Sequence, residues 1–368
     1  SACWPSGADV THGQPAERPL ADRLAERIRA SGPVAFDAWV EACLYDPSGG
    51  FYASGGAAGR RGDFLTSPEV GPLFGAVLAR WLDARWEALG RPDGFTVVEA
   101  AAGAGTLARS VVAAGPACLV TGRYVMVERS AALRQRQPTG AGLSSLAGLE
   151  GLGAEVDHRL VGVVMANELL DNLAFGLLEA VNGAWHEVLV DVEGAVVDRP
   201  TFREVPGDAV DPPVDVPALH GARIPVQAEA ARWVDDARSV LSAGSVLVVD
   251  YASTTPELAA RPATDWLRTF RGHQRGGAAV EAPGTQDVTV EVAVDQLPPR
   301  AAATTQAAFL RAHGIDDLVA DGRRLWAERA GVGDLGALLA RSRIAEADAL
   351  LDAGGLGGFI ALEWCVGS

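Results

Sequence analysis

The stretch Phe95–Leu107, FTVVEAAAGAGTL, constrains this chain more than any other. Phe95 to Val98 reads as a buried strand, with an acid, Glu99, at its end. A turn of small residues follows, and a helix starts after Gly105. An apolar strand that stops at glycine-rich sequence and turns into helix is the unit of nucleotide-binding α/β folds. Glycine lets the backbone approach a ligand closely, and a helix N-terminus offers unpaired N–H groups. The bland alternative is a tight strand–helix turn that simply needs small residues.

Gly103-Ala104-Gly105-Thr106-Leu107-Ala108 fits G-x-G-x-x-G/A, so this motif alone allows NAD as readily as S-adenosylmethionine (SAM). Glu128 ends the next apolar strand, Arg123–Val127, and lies 25 residues after Gly103. A carboxylate there can accept both hydroxyls of a ribose in either ligand. Two features favour SAM. Glu99 suits the cationic amino-acid end of SAM and would repel a pyrophosphate. Nearly a hundred residues precede the first strand, whereas dinucleotide domains more often begin with it.

Two further apolar runs, Leu160–Met165 and Ser245–Val249, also end in polar residues, Asn167-Glu168 and Asp250-Tyr251. In open α/β sheets the ligand crevice lies at the carboxyl ends of the strands, so these positions converge on one ligand. In Asn167-Glu168-Leu169-Leu170-Asp171 two carboxylates stand three apart. On a helical turn they point the same way and can grip a cationic nitrogen nucleophile, although a helix N-terminus favours acids for its dipole alone. Tyr45, the loop Gly59–Glu69, His273 and Asp287 are polar groups that can reach the same site.

At 368 residues the chain exceeds the roughly 250–300 at which one core stops growing. The pattern predicts a tail over 1–19, a helical and lid region over 20–94 and an α/β core over 95–255. A β-rich insertion is expected at about 172–225, with strands at Phe175–Val181, Trp185–Val192 and Ala195–Val197. Residues 256–368 supply a substrate-side segment, C-terminal helices and a last strand. Weak structure is expected near 139–153, a proline-rich loop over 206–225, and irregular chain over 252–300 apart from a strand at Val288–Val294.

Net charge is −16, and the chain has no lysine, so all 31 Lys-or-Arg positions are arginine. This opposes binding to nucleic-acid backbones and favours cationic or neutral partners. The four cysteines have no CxxC spacing and the six histidines no paired spacing, so neither a disulfide framework nor a metal is expected. No run approaches the ~18 apolar residues of a membrane span, and a soluble cytoplasmic protein is the expectation.

The blocks LYDPSGGFY (44–52), GRRGDFLTSPEVGPLFG (59–75), VVEAAAGAGTL (97–107), ERS (128–130), MANELLDNL (165–173), VVDYA (248–252), LRTFRGH (267–273), PGTQDVT (283–289) and TQAAFLRAHGI (305–315) together resemble the MidA family of SAM-dependent methyltransferases. That group includes the mitochondrial complex I assembly methyltransferase, and GDFLTSPE is its most specific block here. The resemblance implies a class I methyltransferase sheet, Rossmann-like, with a helical N-terminal front and an inserted substrate-side lobe. It implies SAM as cofactor and a nitrogen acceptor, a protein arginine in the mitochondrial member. A small-molecule N-, O- or C-methyltransferase and a non-catalytic SAM-binding assembly factor are the alternatives.

By position, Glu99, Gly103, Gly105, Thr106, Leu107 and Glu128 look like SAM contacts, and Asp63, Thr66 and Ser67 like the loop closing over it. Asn167, Glu168 and Asp171 look like the acceptor side, with Tyr45, Asp250, Tyr251, His273 and Asp287 as further substrate contacts. The chain departs from the family where Ala101-Ala102 replaces Gly-Pro, where Ala252 replaces a glycine, and at Glu291 and Ala293, which stand for histidine and aspartate.

Overall fold

Seven strands form the central sheet of this computed structural model: β1 (Thr96–Ala100), β2 (Arg123–Val127), β3 (Leu143–Leu146), β4 (Leu160–Asn167), β5 (Leu241–Asp250), β6 (Ala302–Thr305) and β7 (Ile360–Val366). The structure describes residues 18–53, 66–152, 159–193, 199–272, 274–300, 302–331 and 334–367. The strand order is β6-β7-β5-β4-β1-β2-β3. Strands β1 to β5 run parallel, and β7 is antiparallel to both β5 and β6. β1 pairs with β2 on one side and β4 on the other, so the winding direction reverses between β1 and β4. A ligand crevice opens at such a reversal.

The strands read as unbroken apolar runs because both faces of the sheet are covered. Val97, Met126, Val163 and Leu247 enter one core, with Phe74 and Trp81 of the helix Pro72–Ala88 and Val111 of the helix Thr106–Ala114. Their neighbours Val98, Val125, Val164 and Val246 enter the other, with Val234 of the helix Ala228–Ser239. This is the alternation that a period of two demands. The helices of seven residues or more among the described residues are, in chain order, α1 (Leu20–Ser31), α2 (Phe36–Tyr45), α3 (Pro72–Ala88), α4 (Thr106–Ala114), α5 (Ala228–Ser239), α6 (Gln306–Ala312), α7 (Ile315–Arg329) and α8 (Leu335–Leu351).

A separate core joins α1 and α2 to an antiparallel sheet. Its strands run Val34–Ala35, Ala184–Glu193, Gly176–Val181 and Arg223–Val226, and Thr201–Ala209 also pairs with Ala184–Glu193. Trp39, Phe175, Val190, Trp266 and Val288 meet there. The last two belong to a small segment with strands Leu267–Arg271, Gln274–Arg275 and Asp287–Val290. Hydrogen bonds from this segment reach the ends of the central strands, as described below.

Several elements differ from the sequence expectation. β1 continues to Ala100, which places Glu99 inside the strand. The 139–153 region contains β3, whose LSSL sequence is too short and polar to show strand patterning. The 206–225 loop is strand at both ends; Pro206 is tolerated because its strand pairs on one side only. Residues 252–300 hold the small sheet, and the sequence of α7 shows no clear apolar period because Gly322 and a polar face interrupt it. The expected strand Ala195–Val197 lies outside the described residues.

Candidate active site

The β1–α4 turn carries three residues in the left-handed region: Ala101 (φ 52°), Gly103 (φ 53°) and Gly105 (φ 80°). At Gly105 a Cβ would lie 2.5 Å from Pro138 Cδ, so only glycine fits. At Gly103 it would meet nothing within 4 Å, because that side opens into a cavity of about 1370 Å³. Ala101 has the glycine conformation without glycine's freedom, at a cost of roughly 1 kcal/mol. Ala101→Gly is therefore expected to raise Tm by roughly 1–2 °C, read by calorimetry on the ligand-free protein.

Glu128 follows β2 and grips this turn. The Gly103 N–H donates to its Oε2 at 2.9 Å and the Ser130 N–H to its Oε1 at 2.7 Å. Each oxygen keeps a further lone pair toward the cavity it lines. These are acceptors for a ribose diol. Glu128→Ala removes them and the anchor of Gly103, and S-adenosylhomocysteine binding is expected to weaken roughly 10- to 100-fold in titration calorimetry, from about 1.5–3 kcal/mol of charge-assisted bonding.

Glu99 is buried at the cavity wall and accepts from Tyr124 Oη at 2.7 Å. Burial pushes its carboxyl up to about 8, although Tyr124 and the Ala108 N–H oppose the shift. A cationic ammonium beside it would restore its charge. Together, the open side of Gly103, the Glu128 lone pairs and buried Glu99 fit the close approach, the ribose and the amino-acid end of SAM.

Thr106, expected to touch the cofactor, lines the cavity but donates its hydroxyl to Glu69 Oε1 at 2.9 Å. Leu107 lines the wall and packs into the core. Thr66 also lines the wall. Ser67 does not: its hydroxyl is buried against Gln306 Oε1 at 2.9 Å, and its N–H donates to Glu168 at 3.4 Å. Ser67 is a positioning residue for Glu168. Asp63 and His273 lie outside the described residues.

At the other side of the reversal point, β4 ends in Asn167 and the chain turns sharply at Glu168, whose φ is 53°. Such strain in a non-glycine residue persists only where surroundings hold it, and it clusters at working sites. The Glu168 N–H bonds Val249 O at 2.9 Å, and Asn167 Nδ2 donates to Glu168 Oε1 at 2.9 Å. Burial first, and the nearby Asp171 charge second, push Glu168 up to about 8.

Asp171 lies on a short 3₁₀ turn, Leu170–Asn172, rather than a helix, and is buried. Thr289 Oγ1 donates to its Oδ2 at 2.8 Å, and burial pushes it up to about 6. Among the described residues its Oδ1 is buried without a donor, and so is Asn167 Oδ1.

Asp250 was expected to contact substrate, and the structure corrects this. It is fully buried and does not line the cavity. Its Oδ2 accepts from the Leu170 N–H (3.0 Å) and Asp171 N–H (3.3 Å), and its Oδ1 from the Tyr251 N–H (2.9 Å). Asp250 thus holds the turn that presents Asp171. Tyr251 does line the cavity, and its hydroxyl pairs with Thr289 Oγ1.

Tyr45 and Tyr52 stack at 5.5 Å between ring centroids and line the same space. Tyr45 Oη donates to Asn172 O at 3.0 Å, while Tyr52 Oη and Asn172 Nδ2 donate to Asp287 Oδ1 at 3.3 and 3.1 Å. Sequence reasoning missed Tyr52, Asn172 and Thr289 as site residues. All three lie within the family-like blocks; Asn172 and Thr289 are one and two residues from Asp171 and Asp287, and Tyr52 is seven from Tyr45. The departures at Ala252, Glu291 and Ala293 are absent from the cavity wall. Glu291 pairs with Arg261 at 3.0 Å, and the Ala293 N–H donates to Gln227.

A seven-stranded sheet with one antiparallel strand, a glycine turn after β1 and an acid after β2 defines a class I SAM-dependent methyltransferase. Comparison with known proteins agrees. The Methyltransf_28 model, described as an S-adenosyl-L-methionine-dependent methyltransferase, matches residues 77–314, and the chain belongs to this family. A Drosophila melanogaster relative named protein arginine methyltransferase NDUFAF7 homolog, mitochondrial, is 30% identical over 318 residues, covering 78% of this chain and 70% of its own. The Homo sapiens protein arginine methyltransferase NDUFAF7, mitochondrial, is 25% identical over 343 residues, covering 82% and 76%. A crystal structure of a COG1565 superfamily member from Burkholderia thailandensis, bound to S-adenosyl-homocysteine, shares the fold with TM-score 0.76 at 24% identity, covering 95% of this chain and 92% of that one.

Proposed function

We propose that this methyltransferase places a methyl group on a guanidinium nitrogen of a protein arginine. One observation carries the reading: among the described residues, two buried acceptor oxygens, Asn167 Oδ1 and Asp171 Oδ1, have no donor beside the Glu168 carboxylate. A buried acceptor without a donor costs roughly 1–3 kcal/mol. A guanidinium, with its planar fork of N–H donors, satisfies several at once. Tyr45, Tyr52 and Tyr251 give the same space aromatic faces, which attract a cation. The relatives named as arginine methyltransferases support the same acceptor.

Bound SAM supplies the electrophilic methyl carbon. The chain's residues do the rest. Asn167 and Asp171 orient the guanidinium, and the tyrosines exclude water from it. An arginine is cationic at neutral pH, so the methylated nitrogen must lose a proton. Glu168, whose proton affinity burial has raised, takes it. Ser67 and Asn167 fix the carboxylate that does so.

Labelled SAM, arginine peptides and lysate protein test the reading. Label recovered as methylarginine after hydrolysis supports it. Label only in metabolites would replace it with a small-molecule acceptor. SAM binding with no transfer to either would make the chain an assembly factor.

A further inference from the structure

Three arginines line the cavity, Arg129, Arg136 and Arg268, and Arg268 is the one at its acceptor end, beside Tyr251. The small sheet borders the acceptor end of the cavity with one face. Arg268 pairs in register with Thr289, and Phe270 with Asp287, so these four side chains share that face. Arg268, Phe270 and Asp287 line the cavity, and Thr289 bonds Asp171. The Arg268 guanidinium carbon sits 5.3 Å from the centroid of the Tyr251 ring, and its Nε donates to Asp265 O at 2.7 Å. These two contacts fix its plane. Among the described residues its two terminal nitrogens have no hydrogen-bond or ion-pair partner. Arg129, also at the wall, differs: it is paired with Glu41 at 2.6 Å.

A fixed, half-buried cation one aromatic ring from Asp171 would repel a cationic acceptor unless the acceptor brings a countercharge. The planar fork of arginine matches a carboxylate in bidentate fashion. We propose that Arg268 is a specificity residue that binds a carboxylate of the acceptor, selecting arginines that have an aspartate or glutamate nearby in sequence. The inference rests on the guanidinium reading of the site. The distance across the Tyr251 ring limits the acid to about three residues from the target, at about 3.3 Å of chain per residue. The same carboxylate chemistry could come from the α-carboxylate of a free amino acid, and the test separates the two sources.

Peptides centred on one arginine carry aspartate, alanine or lysine at each position within three residues, and methyl transfer from labelled SAM is measured. The wild-type chain is expected to prefer the aspartate series at least tenfold in kcat/KM over the lysine series. In Arg268→Ala the ratio is expected to fall toward one, and in Arg268→Glu to invert. An aspartate preference that survives both changes overturns the proposal. So does a loss of S-adenosylhomocysteine affinity with the preference intact, because Arg268 would then serve the cofactor. If the wild-type chain labels no peptide, the protein-arginine reading fails. The Arg268 assignment is then decided by titrating free arginine and agmatine into enzyme loaded with S-adenosylhomocysteine. These probes share the guanidinium and differ in the carboxylate. Tighter binding of arginine that Arg268→Ala abolishes supports the assignment, and equal binding overturns it.

Discussion

Glu168→Gln is expected to lower kcat by roughly 10²- to 10⁴-fold, the usual worth of a positioned general base. Glutamine keeps the shape of the side chain. Its amide oxygen can still accept from Asn167 Nδ2 and the Ser67 N–H, the two bonds that hold the carboxylate now. What disappears is the charge facing the acceptor and the site that receives its proton. The loss should therefore appear in single-turnover rates at saturating SAM, with the cofactor dissociation constant largely retained. The same variant should be more stable than wild type near pH 8, because a buried carboxylate in a strained turn is replaced by a neutral isostere. Catalytic sites commonly trade stability for activity in this way. Full activity of Glu168→Gln on the true acceptor would remove Glu168 from the chemistry.

The sheet and its cofactor side were legible because their signals are local. An apolar run, a glycine turn and a following acid lie within a few residues of one another. The Ala101 substitution was visible too, but only the structure shows that the position has positive φ. The acceptor side was legible as a list of residues and much less as an arrangement. Asp250 and Asp171 both read as site carboxylates, and contacts across 79 residues of sequence make one the support of the other. Thr289 orients Asp171 across a separation of 118 residues. Ser67 turns toward Gln306, 239 residues away, instead of toward the cavity. No local pattern encodes such pairings. Arg268 lies within the 267–273 block, and its place beside Tyr251 depends on contacts across the small sheet that no local pattern encodes.

The carboxylates also make the ligand-free protein sensitive to pH, with a sign opposite to the common surface case. Glu99 and Glu168 are raised to about 8 and Asp171 to about 6, and Asp250 is raised as well. Burial is the leading cause for each. In the unfolded chain the same groups titrate near 4. Between these limits the native state holds more protons than the unfolded state, so stability falls as pH rises from about 4.5 to about 8. Taken together at about 5 kcal/mol, the effect should lower Tm by roughly 6 °C between pH 5 and pH 8, since a chain of this length unfolds with an entropy of about 0.8 kcal/mol per kelvin. Below that window both states are protonated and the dependence flattens. Glu99 links this trend to the cofactor. To pair with the ammonium of SAM it must ionise, so binding at pH 6 to 7 should release a proton, and the Tm gained with S-adenosylhomocysteine should grow toward pH 8. Titration calorimetry in buffers of different ionisation enthalpy counts that proton. Glu99→Gln should abolish its release, and proton release that persists in that variant would place the linkage on another group.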